Sequence, residues 1–247
     1  MPFDVSSADE TGLDAKMSAD GYLYLPRLLY PDCVAQAREA IAAVLDSFSL
    51  LAADTAPADL AYVGGDPPER DVLVAAHRQI NHLPAFARLA AQPGVARVMA
   101  SLLGEDVVTH TRKICRVKYP HDPYDVVGPH QDFWYVKGAE ETFTCWAPLT
   151  HVDAETGGLA VLPGSHVRGA LAHARPETSR FHGVAGAADS DGWVWSPMRS
   201  GDVLIFHSLT VHAGLPNTST RIRLSVDCRY QHAAAPMDPS HDRPHME

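Results

Sequence analysis

Residues Gly128 to Trp134 read GPHQDFW, and the rest of the chain is interpreted outward from this stretch. His130 and Asp132 stand two positions apart. On a β-strand, residues i and i+2 share a face, so an imidazole and a carboxylate would converge on one point. Downstream, Phe206 to Asn217 reads FHSLTVHAGLPN and offers a third donor, His212, with His207 as its competitor. Two imidazoles and one carboxylate suit a divalent iron that keeps open positions. The triplet alone is weak evidence, because the chain holds fourteen histidines and many aspartates, and a polar turn before a strand would look the same. His207 and His212 are five apart and would face opposite ways on a continuous strand. Spacing does not say which one faces inward.

Around this stretch the pattern has the period of strands. Val107 to Tyr119, Thr142 to Leu149, Leu159 to Leu162, Trp193 to Trp195, Val203 to Phe206 and Arg221 to Tyr230 are short, apolar or alternating, with turn signals between them. Such a set predicts a sandwich or barrel. Before it the chain is helical. A short strand over Gly21 to Pro26 precedes a helix that carries Val34, Ala37, Ile41, Val44, Leu45 and Phe48 at helical spacing, with Asp32 as its candidate N-cap. Pro84 to Leu103 reads as a helix broken at Pro93-Gly94 and ended by Gly104. Asp71 to His82 is ambiguous. Ala53 to Arg70, Pro120 to Gly128 and His166 to Asp191 read as long loops and candidate lids. One domain over residues 1–247 is expected, with a β core over about 105–232 and flexible ends at 1–15 and 233–247.

Bulk properties exclude several classes. A formal charge of −10 argues against a nucleic-acid partner. The four cysteines, Cys33, Cys115, Cys145 and Cys228, form no CxxC pair and suit reduced thiols in a cytoplasmic protein. The acidic start MPFDVSSADETGLDA lacks the form of a signal peptide, and no apolar run approaches the ~20 residues of a membrane span. Oligomeric state is not legible.

The strand Arg221 to Tyr230, RIRLSVDCRY, sorts its residues by face. Ile222, Leu224, Val226 and Cys228 lie on one side, Arg221, Arg223, Ser225, Asp227 and Arg229 on the other. An amphipathic strand with one solvated face would show this pattern. So would a barrel strand whose apolar face packs under helices and whose polar face lines an occupied lumen. Arginine holds a carboxylate at two points, and Ser225 would add a hydroxyl beside Arg223. Alternation cannot choose between Arg221 and Arg223.

Taken in order, DGYLYLPRLL, HQD, Trp146, GGLAVLPGSH, GDVLIFH and HAGLPNTSTRIRLSVDCRY resemble the phytanoyl-CoA dioxygenase family of Fe(II)/2-oxoglutarate-dependent oxygenases across most of the chain. The resemblance implies a mainly β fold, a double-stranded β-helix (jelly-roll, cupin-like) core with flanking helices. It implies His130, Asp132 and His212 as iron ligands. It places the cosubstrate-anchoring arginine about eleven residues after the distal histidine, at Arg223, and Trp146 in the cosubstrate pocket. Thr150-His151 stands where the family often has two acids.

The implied cofactors are Fe(II), 2-oxoglutarate and dioxygen, with 2-oxoglutarate converted to succinate and carbon dioxide while a small-molecule substrate is oxidised. Related halogenases replace the ligand carboxylate by a small residue. Asp132 therefore points to hydroxylation, desaturation or ring formation. Trp134, on the face of Asp132, and Arg229 are the candidate substrate contacts. The acidic net charge gives no support for a CoA thioester, so a small primary or secondary metabolite is expected. Two rivals remain: a cupin-type metal-dependent dioxygenase or isomerase, which would not need Arg223 and Ser225, and a non-catalytic jelly-roll binding module, which would not need the four residues His130, Asp132, His212 and Arg223.

Overall fold

The computed structural model describes residues 10–66, 68–122, 127–175 and 181–245. It is mainly antiparallel β-structure with helices packed on one face. The first helix, α1 (Glu10–Asp20), leads into strand β1 (Tyr22–Leu25). Gly21 joins them at φ +76° with its carbonyl held by Thr210 Oγ1 at 2.7 Å. Helix α2 (Pro31–Ser47) buries Val34, Ala37, Ile41, Val44 and Leu45, the stripe predicted by its period. Its N-cap is Tyr30, without a side-chain bond. Pro31 takes the first helical position and Asp32 falls inside the first turn, not at the cap.

Residues 71–82, ambiguous in the sequence, form α3 (Arg70–Asn81), which buries Ala76, His77 and Ile80. The next predicted helix is two: α4 (Pro84–Leu89) and α5 (Pro93–Leu103). Pro93 opens the second, as a proline without an N–H can, and Gly104 ends it at φ +84°. The expected strand over 107–119 is interrupted. Strand β2 (Val107–Thr109) and strand β3 (Ile114–Lys118) are separate pieces.

After the short helix α6 (Asp132–Val136) come β4 (Thr142–Pro148), β5 (Leu159–Val161), β6 (His173–Ala174), β7 (Gly183–Val184), β8 (Val203–His207), β9 (His212–Gly214) and β10 (Arg223–His232). The large sheet runs β1-β8-β4-β10, with β2 and β3 both pairing with the outer side of β10. Strands β5 and β9 form a separate pair, and so do β6 and β7. Trp193 to Trp195, expected as a strand, contributes a single bridge between Val161 and Val194.

Each central strand shows two faces. Phe143, Cys145 and Ala147 of β4, Val203 and Ile205 of β8, and Leu224, Val226 and Cys228 of β10 join the main core against α2 to α5. The opposite face carries Trp146, Leu204 and Phe206, which pack with Val161 of β5, Val152 and Met198 into a second cluster. Arg223, Ser225, Asp227 and Arg229 lie on this same opposite face, and all are buried. Of the two readings of the RIRLSVDCRY pattern, the polar face is the enclosed one.

Leu13 is buried on α1. Residues 233–245, expected to be flexible, lie against the rest of the chain: His241 is buried, its carbonyl accepts from the Arg112 N–H, and its ring meets His110 edge-on. Residues 1–9 lie outside the described set. All four cysteines are free thiols, and among the described residues no helix is long and apolar enough to cross a membrane.

Candidate metal centre

His130 and His212 are held by each other. Each backbone N–H donates to the other's carbonyl, at 2.9 and 3.0 Å, so the two form a one-pair antiparallel bridge. Asp132 is not on a strand with His130, as the i, i+2 argument assumed. It opens α6, and the chain turns between them. His207 and His212 are not on one strand either. The first ends β8, a turn follows, and the second begins β9. His207 packs edge-on against Phe143, and its Nδ1 accepts from the Leu209 N–H. Of the two, only His212 reaches His130 and Asp132.

The ligand atoms of His130, Asp132 and His212 all lie within 4.8 Å of one another, and all three residues are buried. His130 Nδ1 sits 2.8 Å from the Gly128 carbonyl, and His212 Nδ1 sits 3.0 Å from that of Thr210. A carbonyl only accepts, so each Nδ1 carries the proton and each Nε2 keeps its lone pair. Both Nε2 atoms face the same oxygen, Asp132 Oδ1, at 3.9 Å from His130 and 3.8 Å from His212.

Burial, and for His130 the neighbouring His212, holds both imidazoles below their ordinary range despite Asp132, so they are neutral donors at pH 7. Burial pushes the Asp132 carboxyl up. Arg229, the two histidines and the Thr144 hydroxyl outweigh it, so the group stays well below the usual carboxylate range and ionised.

The centre opens onto a cleft with about 490 Å³ of atom-free space, part of it open to solvent. His130, His212, Trp146 and Phe206 form its metal end and wall. Arg223, Arg116 and Lys118 line it as well. Arg223 is 5% exposed, donates to the Gly157 carbonyl at 3.1 Å and stacks its guanidinium 5.6 Å from the Trp146 ring centroid. Arg221 precedes β10, is exposed, and bridges to Ala61 instead. Ser225 is fully buried and its Oγ has no hydrogen-bond partner among the described residues. A neutral His pair with a carboxylate, a cationic cleft and an orphaned hydroxyl fit Fe(II) with an anionic cosubstrate.

The two candidate substrate residues part ways. Trp134 is 41% exposed and lines a second, open pocket with Phe133, Tyr135, Leu171, His173 and His182; its atom-free space of about 1120 Å³ includes open solvent. Its ring stacks on His173 at 4.9 Å and 12°. Arg229 lines neither cavity. It is 3% exposed and bonded to Asp132, so it is no candidate for a substrate contact.

Sequence reasoning missed four residues. Thr144 donates to Asp132 Oδ2 at 2.5 Å. It shares a face of β4 with Trp146, so the i, i+2 rule could have found it. Arg116 and Lys118 alternate on β3 and stand opposite Ser225 and Arg223 in register. Gln131 has no sequence signal beyond its neighbours. It donates to the carbonyls of Gly169 and Leu209 at 2.9 and 2.7 Å, accepts from the Leu171 N–H, and so ties the HQD turn to two loops.

The family model for phytanoyl-CoA dioxygenase matches residues 17–225. The chain belongs to the phytanoyl-CoA dioxygenase family. It is 30% identical over 244 residues to a 1-deoxypentalenic acid 11-beta-hydroxylase of Streptomyces arenae, covering 92% of this chain and 83% of that one. Its fold is similar to that of a solved non-heme monooxygenase, ThoJ, with TM-score 0.69, 21% identity, and 90% and 78% of the two chains covered. It is also similar to the epimerase SnoN, solved with Fe3+ and alpha ketoglutarate, with TM-score 0.65, 23% identity, and 94% and 86% covered. As a member of the phytanoyl-CoA dioxygenase family the chain is an oxidoreductase, a non-haem iron dioxygenase that uses Fe(II), 2-oxoglutarate and dioxygen.

Proposed function

We propose that this protein hydroxylates a small-molecule metabolite, with His130, Asp132 and His212 holding Fe(II) and Arg223 holding the far carboxylate of 2-oxoglutarate. The observation that carries the reading is the convergence of two neutral Nε2 atoms and one ionised Oδ1 beside a cleft lined by a buried arginine. When bound, the iron and 2-oxoglutarate would activate dioxygen, the oxidant: one of its oxygen atoms would end in succinate as carbon dioxide is lost, and the other would oxidise the substrate. The chain supplies geometry, charge and exclusion of water.

A metal held by these three protein donors would keep further positions open for the cosubstrate and dioxygen. Arg223 fixes the reach of the cosubstrate from the metal, with its guanidinium braced by Gly157 and Trp146. The Ser225 hydroxyl is the second donor proposed for that carboxylate. The two-faced central strands and the facing β5–β9 pair support a double-stranded β-helix as the core that sets these distances.

The substrate is proposed to enter past Trp134. The ring next to it, Tyr135, meets the His130 ring at 5.5 Å, which brings this aromatic cavity to the edge of the metal centre. A small metabolite with an apolar face fits such walls. A hydroxylase of 30% identity supports hydroxylation, and the ligand Asp132 disfavours halogenation. The test is a metabolite-extract screen with Fe(II) and 2-oxoglutarate. Substrate-stimulated release of succinate and a product heavier by one oxygen support the reading. Oxidation without 2-oxoglutarate would point to the cupin-type chemistry instead.

A further inference from the structure

We propose that Arg229 is a positioning residue that, with Thr144, restricts Asp132 to one-oxygen ligation. The inference rests on the reading of Asp132 as an iron ligand and concerns how it ligates.

The two carboxylate oxygens of Asp132 are not equivalent. Oδ1 faces His130 Nε2 and His212 Nε2 at 3.9 and 3.8 Å. Oδ2 is already engaged by the Thr144 hydroxyl at 2.5 Å and by Arg229 Nη2 and Nε at 3.1 and 3.3 Å. Arg229 Nη2 also reaches Oδ1, at 3.3 Å, on the side the guanidinium occupies. A second metal bond from Oδ2 would require it to shed these donors in a buried site.

Arg229 has nowhere to go. It lies inside β10, paired with β4, and is 3% exposed. Its Nη2 is 3.7 Å from Asp227 Oδ2, and that oxygen is bound in turn by Arg116 at 2.8 Å. Thr144 is fixed in β4, with relative exposure of 1%. Both donors are therefore set by the sheet and not by the short helix α6 that carries Asp132.

The chemistry makes the distinction matter. Of six positions on iron, three protein donors leave three. The two chelating oxygens of 2-oxoglutarate need two, and one must stay open. A carboxylate ligating through both oxygens would take a fourth position and compete with the cosubstrate. Arg229 also offsets the charge of Asp132, so an anionic chelate meets a more positive centre.

The experiment uses the full chain under anaerobic conditions, with Fe(II) and 2-oxoglutarate as probes. Fe(II) binding is followed by titration. Cosubstrate chelation is followed by the visible charge-transfer absorption that a 2-oxo acid gives on Fe(II). Absence of that absorption in the unsubstituted protein would defeat the proposed function itself.

Given the absorption, Arg229→Met should keep Fe(II) affinity within about tenfold while needing at least about tenfold more 2-oxoglutarate to develop the band. Arg229→Lys should recover most of the loss. Thr144→Val should shift in the same direction by less, and it carries the test if Arg229→Met does not fold. Unchanged cosubstrate affinity in Arg229→Met, or in Thr144→Val where only that variant folds, overturns the inference. So does parallel loss of iron and cosubstrate in a folded Arg229→Met, which would make Arg229 a support for the whole site.

Discussion

Replacing Arg223 by alanine is the sharpest perturbation of the cosubstrate end of the cleft. The side chain is 5% exposed, braced on the Gly157 carbonyl and on Trp146, and lines the same cleft as His130 and His212. Its neighbour Arg221, two residues earlier, is exposed and lies outside β10. Loss of one partner of a desolvated charge pair costs about 2–5 kcal/mol, because the other charge stays unpaired. At ~1.4 kcal/mol per decade this is a loss of about thirtyfold to several thousandfold. Arg223→Ala should therefore raise the 2-oxoglutarate requirement by at least about thirtyfold, with iron binding near normal, since Arg223 is not one of the three proposed ligands. Arg221→Ala should shift it far less, because a solvent-exposed charge contributes little. The assay is succinate release against 2-oxoglutarate concentration with iron saturating. The reverse ranking would move the anchor to Arg221. No effect from either would mean that neither Arg221 nor Arg223 holds the cosubstrate and would favour the cupin-type alternative.

Three further outcomes are expected. Asp132→Ala should abolish hydroxylation, since one anionic ligand is gone and Arg229 is left facing the site; undiminished turnover would remove Asp132 from the ligand set. Gly157→Ala should destabilise the fold by about 1–3 kcal/mol, because Gly157 sits at φ +68° and an added Cβ would press on the carbonyls of Pro216 and Leu215; an unchanged melting temperature would contradict this. Metal-free protein should lose stability as pH falls from about 6.5 to about 4. Burial holds His207 and His241 at about 4 in the folded state, whereas an unfolded histidine takes its proton near 6.5, so the unfolded chain binds more protons in that window; a melting temperature that rises on acidification would refute the assignment.

The donor types were legible because metal chemistry restricts them, and alternation placed Arg223 and Ser225 on one face, whereas Trp146 entered only through the family resemblance. The i, i+2 spacing of His130 and Asp132 predicts a shared strand face, whereas the pair is brought together by a bridge to His212 followed by the start of a helix. Periodicity could not choose Arg223 over Arg221 or His212 over His207, because both choices depend on where a strand begins or ends. The contacts that hold Asp132 were the least visible. Arg229 and Thr144 are far apart in sequence and meet only through the pairing of β4 with β10. In the C-terminal segment the Pro-rich, aperiodic text gives no sign that a short 3-10 turn, Pro239–Asp242, sets His241 in a buried place against His110.

The central claim is the identity of the metal ligands, and an anaerobic Fe(II) titration of three proteins tests it most directly. The unsubstituted chain and His207→Ala should each bind one Fe(II) per chain, and His212→Ala should show severely weakened binding. Loss of the metal from His207→Ala with retention in His212→Ala would contradict the account.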